Sequence, residues 1–457
     1  MTVLHSAWQK VRANTETALV SNATFYLYLL YVIDYFIRIH ARIPGVGVIR
    51  PTLLMAILII LLLVIQAEKL KDRWQHESAK VIKVLIIYVF ITLPLVAWPG
   101  SVIKNNLPEF VKAVLFFFFT VCIVDSQKRL KTFLVIFVGC QLFRVLEPLY
   151  LNATEGYWGS KTHLGGGEFA LRLAGGPYDV INGNELGFVI ATVVPFLHYL
   201  VFPRGILGKI VYFGLLPLLL YAMVLTMSRG AFLALLVVLF FIFIRSNNKL
   251  LLVGVAVMAM IFAWGKMSDV QRERYLSLTG ADVRGAETAA GRVAGVGHEF
   301  ELAMEMPIFG HGIGTTPEAK FHRTGRTQAA HSFPAELIIE IGIIGLVIFA
   351  KFILTAWRNL KALTGAIGAS AATSAEQLWR RDLIYTLQCV FWMYAFYSLN
   401  YWGLSQYYWY LFCGLTVVIG RLLNDDFENA VVKTSEPDNE KHSPRRSVAR
   451  RRHSHVS

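Results

Sequence analysis

Long apolar runs separated by short polar segments are the dominant pattern of the chain. Twelve runs come close to the ~20 residues that a helix needs to cross a ~30 Å hydrocarbon core. Lipid offers backbone groups no water to bond, so each run is predicted to be a helix. The predicted spans are approximately 22–40, 51–67, 81–99, 108–125, 131–149, 184–202, 207–226, 229–245, 249–266, 333–354, 381–400 and 405–422.

Composition supports the same class of protein. The chain is 55% hydrophobic and only 16% charged, whereas soluble domains are about 25% charged. These values exclude soluble enzyme folds such as Rossmann domains or TIM barrels. The four cysteines all lie inside apolar runs, so they indicate neither a disulfide framework nor a metal site. The predicted fold class is an all-α polytopic membrane protein with about 12 transmembrane helices.

The distribution of Lys and Arg predicts the orientation of the chain. Short loops on the side of the amino terminus are rich in Lys and Arg, so both termini are expected in the cytoplasm. Residues 441–457 contribute six Lys and Arg to a net charge of +14. Such a tail is typical of a topology determinant near anionic lipid, not of a nucleic-acid arm. The predicted units are a cytoplasmic start at 1–21, spans at 22–266 and 333–422, and a disordered cytoplasmic tail at 423–457.

Two long segments are predicted on the outer, periplasmic side, at 150–183 and 267–332. Long loops translocate largely regardless of charge, so the arginines of the second segment do not contradict this orientation. Those arginines are Arg272, Arg274, Arg284, Arg292, Arg323 and Arg326. Positive charge kept outside still asks for a functional explanation.

The second outer segment has predicted structure of its own. An amphipathic helix is expected from about 286 to 306, ended by Pro307 and followed by a glycine-rich turn. Its apolar face is predicted to lie against the membrane domain; it comprises Val293, Val296, Phe300, Ala303 and Met304. Arg292 and Glu299 lie seven residues apart on one face. Arg292 either extends to lipid headgroups or is directed at a phosphate.

His331 precedes the tenth predicted span, with Ser332 as a candidate N-cap. A histidine there either caps the helix or acts as a base, because its ordinary pKa is near 6.5. Arg229 lies in a tight turn between two spans and needs an anion, either a ligand phosphate or a distant carboxylate. Asn184 and Glu185, at the start of the sixth span, either cap that helix or belong to a site.

The sequence contains no outward-facing DxD motif, no Cys/His cluster and no P-loop. A metal-dependent glycosyltransferase and an ATP-driven machine are therefore not indicated, and no cofactor or metal is expected. Outer-face arginines with one histidine suit the departure of a pyrophosphate from a sugar carbon. Arginines would neutralise the leaving group, and histidine would deprotonate the attacking hydroxyl.

Four sequence elements together resemble the O-antigen ligase family, which includes O-antigen polymerases and protein O-oligosaccharyltransferases. The resemblance extends over the layout of the spans, and its specific part runs from about 170 to 350. The elements are GGPYDVINGNELG, MSRGAFLALL, the GR…MPIFGHGIG run and AHSFPAELIIEIGIIGL. The resemblance implies a GT-C-like architecture in the inner membrane. It also implies glycan transfer from undecaprenyl pyrophosphate at the periplasmic face, without metal and with inversion.

The resemblance also assigns roles to individual residues. His331 corresponds to the family's base, and Arg229 and Arg292 to its pyrophosphate ligands. Asn184 and Glu185 match a polar entry to the sixth span with a donor-site or structural role. Arg172 is added as a pyrophosphate ligand on charge and position alone. The leading hypothesis is a lipopolysaccharide O-antigen ligase with lipid A–core as the acceptor.

Other functions stay open at this point. An O-antigen polymerase, or a ligase for protein or exopolysaccharide, would use the same donor chemistry with a different acceptor. A transporter could use the charged residues near the spans, although Asp34 with Arg38 and Arg144 with Glu147 are spaced to pair with each other. A structural or sensor protein would explain the long outer loop but not its arginines and histidine.

Overall fold

A computed structural model of the chain describes residues 19–165, 167–279, 286–368, 374–401 and 403–434. Within these ranges some side chains are not described, among them that of Arg292 and those beyond residue 423. The described part is mainly helical, with one two-stranded sheet. The all-α polytopic fold class predicted from the sequence is confirmed.

Fifteen α-helices of eight or more residues are numbered here in chain order within the described ranges. They are α1 Asn22–Ile37, α2 Pro51–Ile65, α3 Glu77–Thr92, α4 Leu107–Ile123, α5 Gln127–Glu155, α6 Gly183–Phe196, α7 Gly205–Thr226, α8 Arg229–Arg245, α9 Lys249–Lys266, α10 Asp269–Leu276, α11 Ala286–Ala303, α12 Thr316–Thr324, α13 Phe333–Gly368, α14 Ala375–Ser398 and α15 Tyr407–Thr434. Each of the twelve predicted spans overlaps one of them. The last helix, α15, continues well beyond its predicted end at residue 422.

Seven segments of the described chain are long and apolar enough to cross a membrane, so the count of twelve spans stays a prediction. These segments differ sharply in burial. The window in Val46–Ile65, which includes α2, is 17% buried, and that in Gly183–Val201, which includes α6, is 72% buried. A helix that is apolar on all sides belongs either in the core or in lipid. We therefore assign α6 to the centre of the bundle and α2 to its lipid-facing edge.

Aromatic packing joins the central helices. Phe117 of α4 lies with its ring centroid 5.5 Å from that of Phe352 of α13, in an edge-to-face arrangement. Phe349 packs edge-to-face on Tyr410 of α15 at 6.0 Å. Edge-to-face pairs add to the stability that burial alone provides. These contacts pack α4, α13 and α15 together in the core of the bundle.

The first outer segment contains a hairpin that the sequence analysis did not predict. Strand β1, Gly159–Gly165, pairs antiparallel with β2, Glu168–Leu173. The sequence GGG at 165–167 is a turn signal between two short runs. The charge of Arg172 drew attention to that residue without revealing the strand that carries it. The hairpin matters because β2 brings Arg172 against the end of α7.

The second outer segment is attached to α13 at the point where that helix is interrupted. Gly342 interrupts the helix with φ 66° and ψ −177°, which leaves backbone groups near the break without their usual partners. The glycine turn supplies the missing bonds: His311 N donates to Ile339 O at 2.7 Å, and Gly312 N donates to Glu340 O at 3.0 Å. We call this contact between residues 306–314 and the break the glycine joint.

Two further bonds complete the glycine joint. Ile343 N donates to Pro307 O at 2.8 Å, and the hydroxyl of Tyr88 on α3 donates to Ile341 O at 2.7 Å. Gly310, with φ +76°, lies so close that an added Cβ would come 2.6 Å from Glu340 O. Satisfied backbone groups at close range fix the start of α13, and with it the position of His331.

Candidate functional site

Three buried arginines converge on the turn between α7 and α8. Arg172 of β2 donates through Nε to Thr226 O at 2.7 Å, and Arg274 of α10 donates through Nε to Met227 O at 3.4 Å. Arg229, the first residue of α8, donates through Nη1 to Ser277 Oγ at 2.8 Å. All three are at most 6% exposed. The fold therefore gathers three guanidinium groups from separate segments, which we call the arginine cluster.

The local geometry of the turn explains this convergence. Met227 ends α7 in the left-handed conformation with φ 51°, and Ser228 caps α8 by accepting from Ala231 N at 3.3 Å. The last carbonyls of a helix lack intrahelical partners and favour cations. Arg172 and Arg274 meet this need at the end of α7. The carbonyl groups at the end of α7 therefore favour arginine side chains at this turn.

Asn184 and Glu185 have different roles at the start of α6. Asn182 and Glu185 form a capping box, in which Asn182 N donates to Glu185 Oε2 at 2.9 Å. Asn184 Oδ1 accepts from Nη2 of Arg172 at 2.8 Å. Glu185 therefore has the capping role that the sequence left open. Asn184 belongs to the support of the arginine cluster.

A buried tyrosine lies beside the arginine cluster. Tyr275, between Arg274 and the short turn at 277, is buried and donates to Met223 O at 3.3 Å. Burial raises the pKa of Tyr275, and the charges of Arg172 and Arg274 oppose that rise. A site of low dielectric strengthens every electrostatic interaction in it. Cations held here would act strongly on an anionic group.

His331 lies beside α11, just before α13. Ser332 caps α13 by accepting from Ala335 N at 3.4 Å, as predicted. The imidazole of His331 packs against Gly295 of α11: an added Cβ there would lie 2.8 Å from Nε2 and closer still to Cδ2. The side chain stays 16% exposed. Packing therefore holds the histidine in place, yet its side chain stays accessible to solvent.

Two charged side chains flank His331. Glu299 of α11 is 1% exposed and accepts from His331 N at 2.7 Å through Oε1. The same oxygen accepts from Lys320 Nζ of α12 at 2.5 Å and lies 3.8 Å from His331 Nδ1. We call Glu299, Lys320 and His331 the histidine site. It joins three elements of the outer segment that are far apart in sequence.

Helix α11 connects the two groups of residues. It packs against β1, against the short turn at 277–279 and against α13. Arg274 bonds to Thr162 of β1 at 3.1 Å, and Arg229 bonds to Ser277. The arginine cluster and the histidine site therefore lie on elements that share α11 as a neighbour. The backbone of Arg292 belongs to this helix, but its side chain, predicted to bind pyrophosphate, lies outside the described residues.

The predicted apolar face of α11 is partly wrong. Phe300 is 46% and Met304 51% exposed, so neither packs into the described protein. Among the side chains of α11 that the structure describes, the buried ones are Glu299, Leu302 and Ala303. Apolar periodicity alone did not reveal this, because a buried carboxylate takes part in the packed face. The helix itself was predicted correctly and ends at Ala303.

The charged residues near the spans pair differently from the prediction. Arg144 of α5 binds Asp179 in the first outer segment, with Nε 2.7 Å from Oδ2. Glu147 binds Arg42, also from outside its own helix. Asp34 binds Nδ1 of His40 at 2.9 Å. The predicted pairs Asp34 with Arg38 and Arg144 with Glu147 are therefore wrong, since tertiary partners replace neighbours along one helix.

An open cavity of about 450 Å³ lies beside the glycine joint. The ring of Trp98 stacks with those of His311 and His322, with centroids 5.6 and 5.2 Å away. Glu305 and Arg323 also line the cavity and bond to each other at 3.0 Å. Burial lowers the pKa of His311, against opposing contributions from Ile339 O and Glu305. In the described part of the chain, no three His, Cys, Asp or Glu side chains could together hold a metal ion.

Sequence reasoning missed two members of the site. The sequence analysis included Arg274 with the other outer arginines but gave it no role. In the structure it lies shortly before Ser277, which binds Arg229. Lys320 gave no local signal, because its partner Glu299 lies on a different helix. Both contacts depend on how α10, α11 and α12 fold back on one another. A sequence pattern of short range does not contain that information.

Comparison with known protein families gives one match. Residues 214–350 match the family described as O-antigen ligase. The matched range begins within α7 and ends within α13, so it includes Arg229, Arg292 and His331 but not Arg172. No curated protein matches the chain. Members of the family are glycosyltransferase-like ligases and polymerases with glycan and lipid substrates in a membrane. Residues 214–350 therefore carry a match to the O-antigen ligase family, which supports the family that the motifs predicted.

Proposed function

We propose that the protein is a lipopolysaccharide O-antigen ligase. It transfers a glycan from undecaprenyl pyrophosphate to a hydroxyl of lipid A–core, at the periplasmic face of the bacterial inner membrane. Both termini lie in the cytoplasm, and residues 267–332 form the periplasmic segment that carries much of the site. The reaction inverts the anomeric carbon and needs no metal. Arg172, Arg229 and Arg292 bind the pyrophosphate, and His331 is the general base.

The observation that carries this proposal is the arginine cluster. Buried guanidinium groups gathered at one turn match the needs of a leaving group with several negative charges. In a low-dielectric site, fixed cations stabilise charge as it develops and need no reorganisation. Arg229 of this cluster and His331 both fall within the segment that matches the ligase family. Ser277 accepts from Arg229 and donates to the backbone carbonyl of Arg274, so Arg274 supports the geometry of the same turn.

The proposed step is a direct displacement. The acceptor hydroxyl oxygen attacks the anomeric carbon from the face opposite the pyrophosphate, and a new glycosidic bond forms. The bond between that carbon and the pyrophosphate oxygen breaks, and the leaving group takes the electron pair. The hydroxyl proton passes to His331, and the arginines hold the undecaprenyl pyrophosphate released. Glu185, bound in its capping box, keeps α6 in place, and Asn184 orients Arg172.

Transfer with purified components tests the proposal. Protein in detergent or proteoliposomes, with undecaprenyl-pyrophosphate glycan and lipid A–core, is expected to give a ladder of ligated product on a gel. EDTA should leave the product unchanged, since the chain carries none of the metal motifs of glycosyltransferases. His331→Ala and Arg229→Ala should each reduce the rate by at least ~100-fold, the scale of losing a base or an oxyanion-type donor. Full activity of either variant would refute the assigned roles.

The same experiment identifies which acceptor the protein uses. If the protein elongates the lipid-linked glycan and ignores lipid A–core, it is a polymerase with the same donor chemistry. If a protein or exopolysaccharide acceptor is modified instead, it is a ligase of another pathway. A labelled-substrate flux across proteoliposomes without any glycan transfer would favour a transporter. Of these outcomes, only modification of lipid A–core supports the ligase proposal.

A further inference from the structure

We infer that Glu299 is a positioning residue for His331 and that Lys320 sets how strongly Glu299 acts. This inference rests on the proposed role of His331 as general base. It assigns the buried carboxylate to orient the imidazole so that Nε2 receives the proton. It assigns the ammonium of Lys320 to weaken the negative charge that His331 experiences.

The carboxylate of Glu299 lies where an orienting group would be needed. Its Oε1 already holds the backbone of His331, accepting from N at 2.7 Å. The ring atom Nδ1 is 3.8 Å from the same oxygen, just beyond hydrogen-bond range. A small rotation of either side chain lets Nδ1–H donate to the carboxylate. That bond fixes the tautomer in which Nε2 carries no proton.

The second oxygen of Glu299 strengthens this assignment. Oε2 is buried and has no hydrogen-bond partner among the residues that the structure describes. A buried carboxylate oxygen without a partner is costly, so the side chain has an unused acceptor beside the imidazole. Within α11, Gly295 allows the ring of His331 to lie against the helix one turn from Glu299. The geometry thus offers both the acceptor and the space for the ring.

Lys320 competes with His331 for the same carboxylate. Its Nζ donates to Glu299 Oε1 at 2.5 Å and to Ala329 O at 2.8 Å, and its side chain is only 11% exposed. Among the described contacts, the charges next to His331 include the carboxylate of Glu299 on α11 and the ammonium of Lys320 on α12, which binds that carboxylate. On α13, the helix that follows His331, the carboxyl of Glu336 interacts electrostatically with Glu299. Removing Glu299 or Lys320 should change the charge at His331 in opposite directions.

The sign of each effect follows from the role of the base. Transfer requires His331 without its second proton, so the rate rises with pH as the imidazolium loses that proton. A nearby carboxylate stabilises the imidazolium and moves this rise to higher pH, and a nearby ammonium moves it to lower pH. Glu299→Gln is therefore expected to shift the rise to lower pH. Lys320→Met is expected to shift it to higher pH.

The experiment measures kcat/KM for glycan transfer between about pH 5 and 9 in the full-length, reconstituted protein. We expect shifts of about one pH unit in opposite directions for Glu299→Gln and Lys320→Met, the size of a tenfold change in proton affinity. Glu299→Gln should also lower kcat by roughly 10- to 100-fold, within the range of base catalysis. Glu299→Asp should recover part of that loss. Glu301→Gln is the matched control: Glu301 lies on the same helix, is 60% exposed and binds Arg323.

The outcomes separate this inference from the proposed function. Activity retained in His331→Ala refutes the base itself. An inactive His331→Ala together with unshifted profiles for both variants refutes the positioning role alone. A shift in the same direction for both variants also overturns it. If Glu299→Gln does not fold, as judged by thermal unfolding, Lys320→Met decides by itself: only a shift to higher pH supports the inference.

Discussion

Glycine brings the outer segment close to α13 in two places, and the two contacts differ in kind. At the glycine joint, Gly310 and Gly342 let two backbones meet, and amide and carbonyl groups satisfy one another. At the histidine site, Gly295 lets the backbone of α11 approach an imidazole. The first contact is saturated with hydrogen bonds. The second leaves the side chain of His331 partly exposed and one oxygen of Glu299 without a described partner.

The two contacts therefore contribute to different properties: the glycine joint to stability and the histidine site to function. Backbone groups that pair completely hold a structure together and offer little to a substrate. A histidine that is packed in place and still partly exposed can meet a substrate, and the surrounding residues hold it in that position. We therefore expect substitutions at the glycine joint to affect folding. Substitutions at Gly295 should affect the reaction while the protein stays folded.

The largest effect is expected for Gly342→Ala. Position 342 has φ 66°, and an added Cβ would lie 2.7 Å from Phe309 N and closer still to Ile308 O. Strained backbone costs about 1–3 kcal/mol and overpacking about 1–3 kcal/mol, so the loss should be roughly 2–6 kcal/mol. Thermal unfolding in detergent checks this. Gly365→Ala on the same helix has open space around it and should unfold as the wild type does; equal stability of both variants would contradict the structural role of the joint.

Gly295→Ala should have the next largest effect, on the reaction. The added methyl group requires the imidazole of His331 to move away from α11. Misplacing a base by about 1 Å can cost ~100-fold in rate. We expect a loss of that order in kcat, with an unfolding temperature close to that of the wild type, since alanine favours helix over glycine.

Gly297→Ala is the control for that substitution. Gly297 lies on the same helix, and nothing lies within 4 Å of a Cβ placed there. It should therefore keep its activity and gain a little stability. If Gly295→Ala and Gly297→Ala behave alike, the contact between His331 and α11 does not matter for transfer.

The sequence predicted the helices well because their signal is local. Apolar runs and caps such as Ser332 lie within a few residues of each other, so the helices at the predicted spans and α11 could be predicted directly. The site depends on contacts of long range: Arg172 reaches Thr226, and His331 reaches Glu299, across many residues. Residue type suggested Arg172, Arg229 and His331, but only the fold brought Arg274 and Lys320 to them. Burial of Glu299 was missed because periodicity treats a charged residue as exposed.

The smallest effect is expected for acidification at the glycine joint. His311 donates its backbone N–H to Ile339 O, and burial lowers the pKa of its imidazole. The unfolded chain then binds a proton near the ordinary pKa of 6.5, while the folded protein resists it until a lower pH. The stability is thus fully present above pH ~6.5 and falls as the pH drops towards the folded value. His311→Gln should unfold with a weaker dependence on pH across this window.

His322 provides the comparison for that titration. It also stacks on Trp98 but is exposed to solvent and makes no described bond to the break in α13. Unfolding temperatures measured in detergent between pH 7 and pH 5 should therefore fall equally in the wild type and in His322→Gln. If the unfolding temperature of His311→Gln falls as steeply as those of the wild type and His322→Gln, protonation of His311 does not affect the stability of the glycine joint. The contrast between a saturated structural contact and a reactive one would then rest on Gly342 and Gly295 alone.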